Sequence, residues 1–355
     1  MADAVPMRNV LYMYCYAWDL FHEGEALAAD LDAELPFQDL LARVLAGAVA
    51  RLVRAGLARD YRERSEAVEP LRGRPDFAAS IALLARRRRA IVSRFEELSL
   101  DTPQNRILKA AMRLLAAADG LDGGLCRLLG GLLRRMEPVG ALRLHAGSFA
   151  GLGHGRAAAG YRLPLALARL VLECRVPIAG TGGHRFVAPL DDEVAMGALF
   201  EAFVRNFLRR EQDDFEVGRQ TLQWRAEGAP DQLALLPRMQ TDISLAAPGR
   251  RIIIETKFYR EALQYHHDIG RARSAHLYQL FGYLRNAPVL PDEPPVEGIL
   301  LYPASGPPPA MDVVVHGHRV RLATLDLGAP WSAIRARLLA LAAPHAGRDA
   351  GAVPS

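Results

Sequence analysis

The apolar positions of LDAELPFQDLLARVLAGAVARLVRAGL (31–57) recur every three or four residues and stop near Gly56, which predicts an amphipathic helix. The next stretch, ARDYRERSEAVEPLRGRPDFAASI (58–81), mixes short apolar steps with Pro70, Gly73 and Pro75. It reads as a strand, a turn or finger around LRGRPDF, and a return strand. ARRRRAIVSRFEELS (85–99) follows as an irregular helix or a strand. TPQNRILKAAMRLLAAA (102–118) then opens a helix, with Thr102 placed to cap it and Pro103 at its first position. The first 150 residues are thus mainly helical with a β insert, and residues 150–190 are glycine-rich connections.

Beyond 190 the texture changes. EVAMGALFEAFVRNFLRRE (193–211) puts Met196, Leu199, Phe200, Phe203 and Phe207 on one helical face. Short segments run to Trp224, followed by a strand pair at 241–258, a helix SAHLYQLFGYLR (274–285), a strand GILLYP (298–303), VVVHGHRVRLATLDL (313–327) and a last helix. The overall class is α/β (α+β). The pattern predicts a mixed helical/β domain over 1–190, an α/β domain over 191–340 and a low-complexity tail over 341–355 that reads as disordered.

Charge refines this division. Residues 1–190 carry 26 Lys/Arg against 20 Asp/Glu, whereas residues 191–355 carry 18 against 20, so the basic surplus lies in the first half. Such a surplus favours nucleic acid or an acidic partner, and equally suits a merely soluble surface. The chain has no apolar run of about 18 residues free of charge and no apolar signal core at its start, so a cytoplasmic location is expected, with no membrane span. Cys15, Cys126 and Cys174 are scattered and form no CxxC pair, which points to buried thiols rather than a metal or redox centre.

The chemistry concentrates in TDISLAAPGRRIIIETKF (241–258), which holds one of only two lysines among 44 basic residues. Two β-rich runs flank a Pro-Gly turn, as in a hairpin. The period of two places Glu255 and Lys257 on one face and Ile252 and Ile254 on the other, while the hairpin returns Asp242 towards Glu255. Two acids and an ammonium in the order D-x(12)-E-x-K are the arrangement of metal-dependent nucleases. Asp242, Glu255 and the Thr256 carbonyl offer the oxygen ligands that Mg²⁺ requires. Lys257 orients or deprotonates the attacking water; arginine, with a wide planar fork and a proton it never releases, does not substitute for it. Glu201, on the preceding helix, is either a further acid of this site or a solvated position, and Gln279, on the following helix, is either a site residue or a polar group at a helix–sheet contact.

Other candidates are weaker. GLGHGR and GTGGHR do not match GxxxxGK[ST], so no nucleotide triphosphate is expected on this chain. His266 and His267 lack a third ligand at suitable spacing, and His154 and His184 have no nucleophile pattern beside them. Arg86, Arg87, Arg88 and Arg89 span all sides of a helix and form either a DNA or partner surface or a solvated face.

The blocks RNVLYMYCYAWD (8–19), RGRPDF (72–77), DTPQNRILKA (101–110), HRF (184–186), LFEAFVRNFLRRE (199–211), LLPRMQTDISL (235–245), IIIETKFY (252–259), LYQLFGYL (277–284), LLYP (300–303) and TLDLG (324–328) follow, in order, those of the McrC family. By this resemblance the chain is the nuclease subunit of an McrBC modification-dependent restriction system. The resemblance implies an N-terminal domain that docks to an McrB-like AAA+ GTPase ring and a C-terminal PD-(D/E)xK endonuclease domain. It further implies that the partner binds GTP and recognises modified cytosine in double-stranded DNA, while this chain stimulates GTP hydrolysis and cuts the DNA with Mg²⁺. Asp242, Glu255 and Lys257 match the family's catalytic positions; the central acid here is Glu rather than Asp, which bears on metal preference more than on activity. Arg72, Arg74 and Arg86–Arg89 fall in the basic 43–94 region expected to contact the ring or DNA. The competing readings are a non-cleaving adapter of the GTPase ring and a stand-alone DNA repair nuclease.

Overall fold

A computed structural model of the chain describes residues 5–20, 35–67, 73–86, 91–152, 156–178, 183–188, 190, 192–258, 263–266, 269–291, 293–303 and 311–343. They separate into two compact units, one of residues 35–188 and one that joins residues 5–20 to residues 190–343. The expectation of a single N-terminal domain over 1–190 is therefore corrected at its start. Helix α1 (Met7–Ala17) belongs with the C-terminal unit, where Tyr16 packs against Phe203, Phe207 and Trp331. Asn206 donates to the Tyr16 and Ala17 carbonyls at the end of α1, groups that no helical N–H reaches. Helical periodicity shows that α1 has an apolar face but not which core receives it.

The N-terminal unit begins with α2 (Phe37–Ala55), whose buried Leu41, Leu45 and Val49 share one face and which stops at Gly56 with φ 97°. After it come β1 (Asp60–Ala67), β2 (Arg74–Pro75), α3 (Phe77–Ala85) and β3 (Val92–Ser99). Strand β3 pairs antiparallel with β1 from Asp60↔Ser99 to Ala67↔Val92 and takes β2 on its other edge. The expected return strand at FAASI is thus a helix, and the return strand lies 15 residues later at β3. A short apolar run fits either period; here Asp76 decides, its side chain capping α3 by accepting from Ala79 N at 3.0 Å. Gly73 is required where the finger closes, since its φ is 71° and a Cβ would run into the Arg94 carbonyl oxygen.

Helix α4 (Pro103–Ala116) starts as the sequence predicts, with Thr102 Oγ1 accepting from Asn105 N at 3.3 Å. Helices α5 (Gly123–Arg135) and α6 (Arg162–Glu173) complete the bundle, and β4 (Arg175–Pro177) pairs with β5 (His184–Phe186). The second lysine of the chain, Lys109, is buried here and donates to the carbonyls of Glu137, at 3.2 Å, and Val139, so it pins a loop rather than forming a site. His184 is likewise a core residue, its Nε2 2.8 Å from the Leu114 carbonyl oxygen. Cys15 and Cys174 are buried and in no disulfide, and burial pushes the Cys174 thiol up to about 12.

The C-terminal unit is built on a six-stranded mixed sheet. Helix α7 (Glu193–Glu211) precedes β6 (Glu216–Gly218), and the short pair β7 (Thr221–Leu222) and β8 (Met239–Gln240) leads into β9 (Ile243–Ala247) and β10 (Arg250–Thr256). A hairpin of β11 (Leu263–His266) and β12 (Ile269–Ala272) precedes α8 (Ser274–Asn286), and β13 (Glu297–Pro303), β14 (Met311–Val315), β15 (His318–Leu325) and α9 (Trp331–Ala342) finish the unit. The strand order is β14-β15-β13-β10-β9-β6, with β10, β13 and β15 parallel and the other pairs antiparallel. The predicted Pro-Gly turn is present, with Gly249 at φ 73° between β9 and β10, and a second turn, in which His316 and Gly317 both take positive φ, divides the 313–327 run into β14 and β15.

Strand β10 is buried from Ile252 to Thr256, as a central strand covered on both faces must be. On one face Ile253, Leu300 and Val320 pack under Leu280 and Leu284 of α8. Gly298 lets that helix approach, because a Cβ there would stand 2.9 Å from Leu284 Cδ1. Among the described residues no helix is long and apolar enough to cross a membrane.

Candidate active site

The 243/254 register of the β9–β10 hairpin places Asp242 beside Glu255 at the point where β9 begins and β10 ends. Thr256 fixes the first acid. Its N–H and its hydroxyl both donate to Asp242 Oδ2, at 2.9 and 2.8 Å. Pairing with β13 continues one residue past β10, where Lys257 N donates to the Leu301 carbonyl at 2.9 Å and sets the direction of the lysine side chain. Lys257 Nζ then donates to Glu255 Oε1 at 2.6 Å and to Gln279 Oε1 at 2.9 Å. Gln279 in turn donates to the Tyr283 hydroxyl at 2.9 Å. Asp242, Glu255, Thr256, Lys257 and Gln279 are therefore brought together as the sequence predicts.

Electrostatics give this cluster its character. Glu255 is 1% exposed, and burial, reinforced by the charge of Asp242 and opposed by Lys257, pushes its carboxyl up to about 7. Burial also raises Asp242, with the Thr256 N–H and hydroxyl pulling the other way. Negative charge is thus concentrated in a poorly solvated place. Lys257 Nζ meets Oε1 of Glu255, while Oε2 is buried with no hydrogen-bond partner among the described residues. An orphaned carboxylate oxygen is costly unless a cation meets it. The donor set, two carboxylates with oxygens to spare and the adjoining Thr256 carbonyl, fits a hard divalent cation. Among the described residues no three His, Cys, Asp or Glu side chains form a metal cluster, so a cation here depends on that main-chain oxygen and on water.

Glu201 is near enough for its charge to raise both Asp242 and Glu255. Its Oε1 is engaged by two arginines that sequence reasoning missed. Arg205, one turn along α7, reaches it at 2.5 Å and also donates to the Asp242 carbonyl at 3.4 Å, and Arg219 Nε reaches it at 2.8 Å from the segment after β6. Tyr283 and His276 were also missed, although the spacing 276, 279, 283 puts them on the helical face of Gln279. His276 Nδ1 lies 2.9 Å from the Tyr302 hydroxyl, and burial together with the charges of Lys257 and Arg273 lowers its pKa to about 4.

The remaining candidates lie elsewhere. Arg74 and Arg86 are exposed on the finger of the N-terminal unit, while Arg72 and Arg87–Arg89 fall outside the described residues. His154 and His267 also fall outside them, and His266 lies in β11.

A family model described as a McrBC 5-methylcytosine restriction system component matches residues 3–303. The type IV methyl-directed restriction enzyme EcoKMcrBC of Escherichia coli (strain K12) is 29% identical over 336 residues, spanning 94% of this chain and 96% of the relative. Among solved structures, a chain of the refined half-complex from the tetradecameric assembly of Thermococcus gammatolerans McrB AAA+ hexamers with bound McrC shares the fold. Its TM-score is 0.61 at 19% identity, over 95% of this chain and 75% of that one.

Proposed function

The chain belongs to the McrBC 5-methylcytosine restriction system component family, and from that premise we propose that it is the Mg²⁺-dependent DNA endonuclease subunit of such a system, with a PD-(D/E)xK centre. The reading rests above all on the buried Glu255 Oε2, which has no hydrogen-bond partner among the described residues and lies beside Asp242 at a strand end that also carries Lys257.

Asp242, Glu255 and the Thr256 carbonyl would hold Mg²⁺, which supplies an activated water and neutralises charge on the scissile phosphate. Lys257 Nζ, fixed between Glu255 and Gln279, orients the attacking water and offers a compact positive charge to the phosphate oxygens as their negative charge grows. Gln279 and Tyr283 keep the ammonium aimed, and the two Thr256 donors hold Oδ2 of Asp242 and leave its other oxygen out of those bonds. Burial of Glu255 and Thr256 makes these charges count for more than they would in water.

The partner in this reading is an McrB-like AAA+ GTPase ring, which binds GTP and recognises modified cytosine in double-stranded DNA. A C-terminal half with slightly more acid than base binds DNA weakly by itself, so delivery by a partner supplies what it lacks. The finger of the N-terminal unit is the surface proposed to meet the ring. Helix α3 has no buried residue and leaves Phe77, Ile81 and Leu84 73%, 67% and 60% exposed, an apolar patch flanked by Arg74 and Arg86.

The test combines Mg²⁺ titration of the full chain with cleavage of a plasmid carrying methylated cytosine, in the presence of the ring protein and GTP. Wild type should bind Mg²⁺ and cut; Asp242→Asn and Glu255→Gln should bind it more weakly and not cut. A wild type that stimulates GTP hydrolysis without cutting would make the chain an adapter. Cutting without ring or GTP would make it a stand-alone nuclease.

A further inference from the structure

Two arginines hold the same oxygen of Glu201, yet they are built differently. Arg205 leaves α7 one turn after Glu201, is 17% exposed and is tied a second time to the Asp242 carbonyl. Arg219 is 45% exposed and, among the described residues, its side-chain bonds run to Glu201, from Nε and Nη2 to Oε1. Its backbone, by contrast, is held tightly. The next residue exchanges two bonds with the residue before Asp242: Gln220 N donates to Thr241 Oγ1 at 3.0 Å, and Thr241 N donates to the Gln220 carbonyl at 3.0 Å. Thr241 is itself buried and its hydroxyl lies 2.9 Å from that of Ser244. A planar, half-exposed guanidinium is thus carried on a fixed main chain immediately beside the acid that begins β9.

We propose that Arg219 is the DNA phosphate-binding residue of this site, moving from Glu201 to a non-bridging phosphate oxygen when DNA enters. The inference rests on the nuclease reading. Three carboxylates, Glu201, Asp242 and Glu255, face Lys257, Arg205 and Arg219, and Lys257 is committed to Glu255 and Gln279. Release of Arg219 leaves Glu201 paired with Arg205, so no acid is stranded. The guanidinium fork suits a phosphate, which accepts two parallel N–H bonds, better than the single carboxylate oxygen it now shares with Arg205. These arginine bonds all run to Oε1 of Glu201.

The experiment measures duplex DNA binding by the full chain assembled with its ring partner, in Mg²⁺ and across a salt series. Every sample carries Lys257→Ala so that the DNA stays intact, and Arg219→Gln and Arg219→Lys are compared with that parent. Each phosphate contact contributes about 0.9 to the slope of log K against log salt. Arg219→Gln should lower the slope by about one and weaken binding several-fold at about 0.1 M salt, Arg219→Lys should restore part of both, and Mg²⁺ affinity without DNA should not fall. An unchanged slope with weakened Mg²⁺ binding would mean that Arg219 only positions Glu201, and an unchanged slope with unchanged Mg²⁺ binding would remove it from the site; either overturns the proposal. Failure of the nuclease reading looks different: the chain with both Lys257 and Arg219 intact then does not cut at all.

Discussion

Replacing Glu255 by Gln should make the metal-free protein more stable at neutral and alkaline pH while abolishing cleavage. The carboxyl is held at about 7 against an ordinary value near 4.5, mainly by burial. Between these values the folded state holds a proton that the unfolded chain has released, so stability falls as pH rises through this window. Each unit is worth about 1.4 kcal/mol, which sets an upper limit of about 3 kcal/mol on the cost of carrying Glu255 ionised above pH 7. Gln removes that cost and keeps an acceptor for Lys257 Nζ. The value of about 7 already includes the opposing pull of Lys257, so the gain expected at pH 8 is up to about 3 kcal/mol. The assay is urea denaturation at pH 4, 6 and 8 in chelator and in Mg²⁺. In chelator the variant should exceed wild type at pH 8 and converge with it near pH 4; in Mg²⁺ the wild type should recover, because a ligand of the folded state stabilises it. A variant less stable than wild type at pH 8 in chelator would refute the reasoning.

Other expectations follow from the same geometry. Asn206→Ala removes the side-chain donor to the Ala17 carbonyl and leaves the Tyr16 carbonyl with the Asp19 N–H alone, and should cost about 1–3 kcal/mol in urea denaturation. Tyr283→Phe removes only the acceptor for Gln279 Nε2, so the DNA cleavage rate should fall roughly tenfold with partner-stimulated GTP hydrolysis unchanged. Phe77→Asp with Ile81→Asp alters exposed side chains, so the melting temperature should hold while ring binding and GTPase stimulation drop more than tenfold.

How much of this was legible in the chain depends on the range of the interactions involved. The Asp242/Glu255/Lys257 cluster was readable because a Pro-Gly turn and a period of two fix its register within 16 residues. The Thr102 and Gly56 helix boundaries were readable for the same reason, since caps act locally. What escaped is set by distance or by competition. Helix α3 took the place of an expected strand because a single Asp cap outweighs an ambiguous apolar run. The docking of α1 on α7 and α9 spans nearly 200 residues or more, and nothing local encodes it. Arg205 and Arg219 read as ordinary solvated arginines until α7 and the segment after β6 bring them to one oxygen of Glu201. Tyr283 was within reach of helical spacing from Gln279.

The central claim, that this chain itself cuts DNA through Lys257, is tested most directly by comparing wild type with Lys257→Ala. The substrate is a plasmid carrying methylated cytosine, with Mg²⁺, GTP and the ring partner present, and GTP hydrolysis is followed in the same tubes. The account predicts that wild type cuts, that Lys257→Ala does not, and that both stimulate GTP hydrolysis equally. Cleavage by Lys257→Ala at the wild-type rate would contradict it.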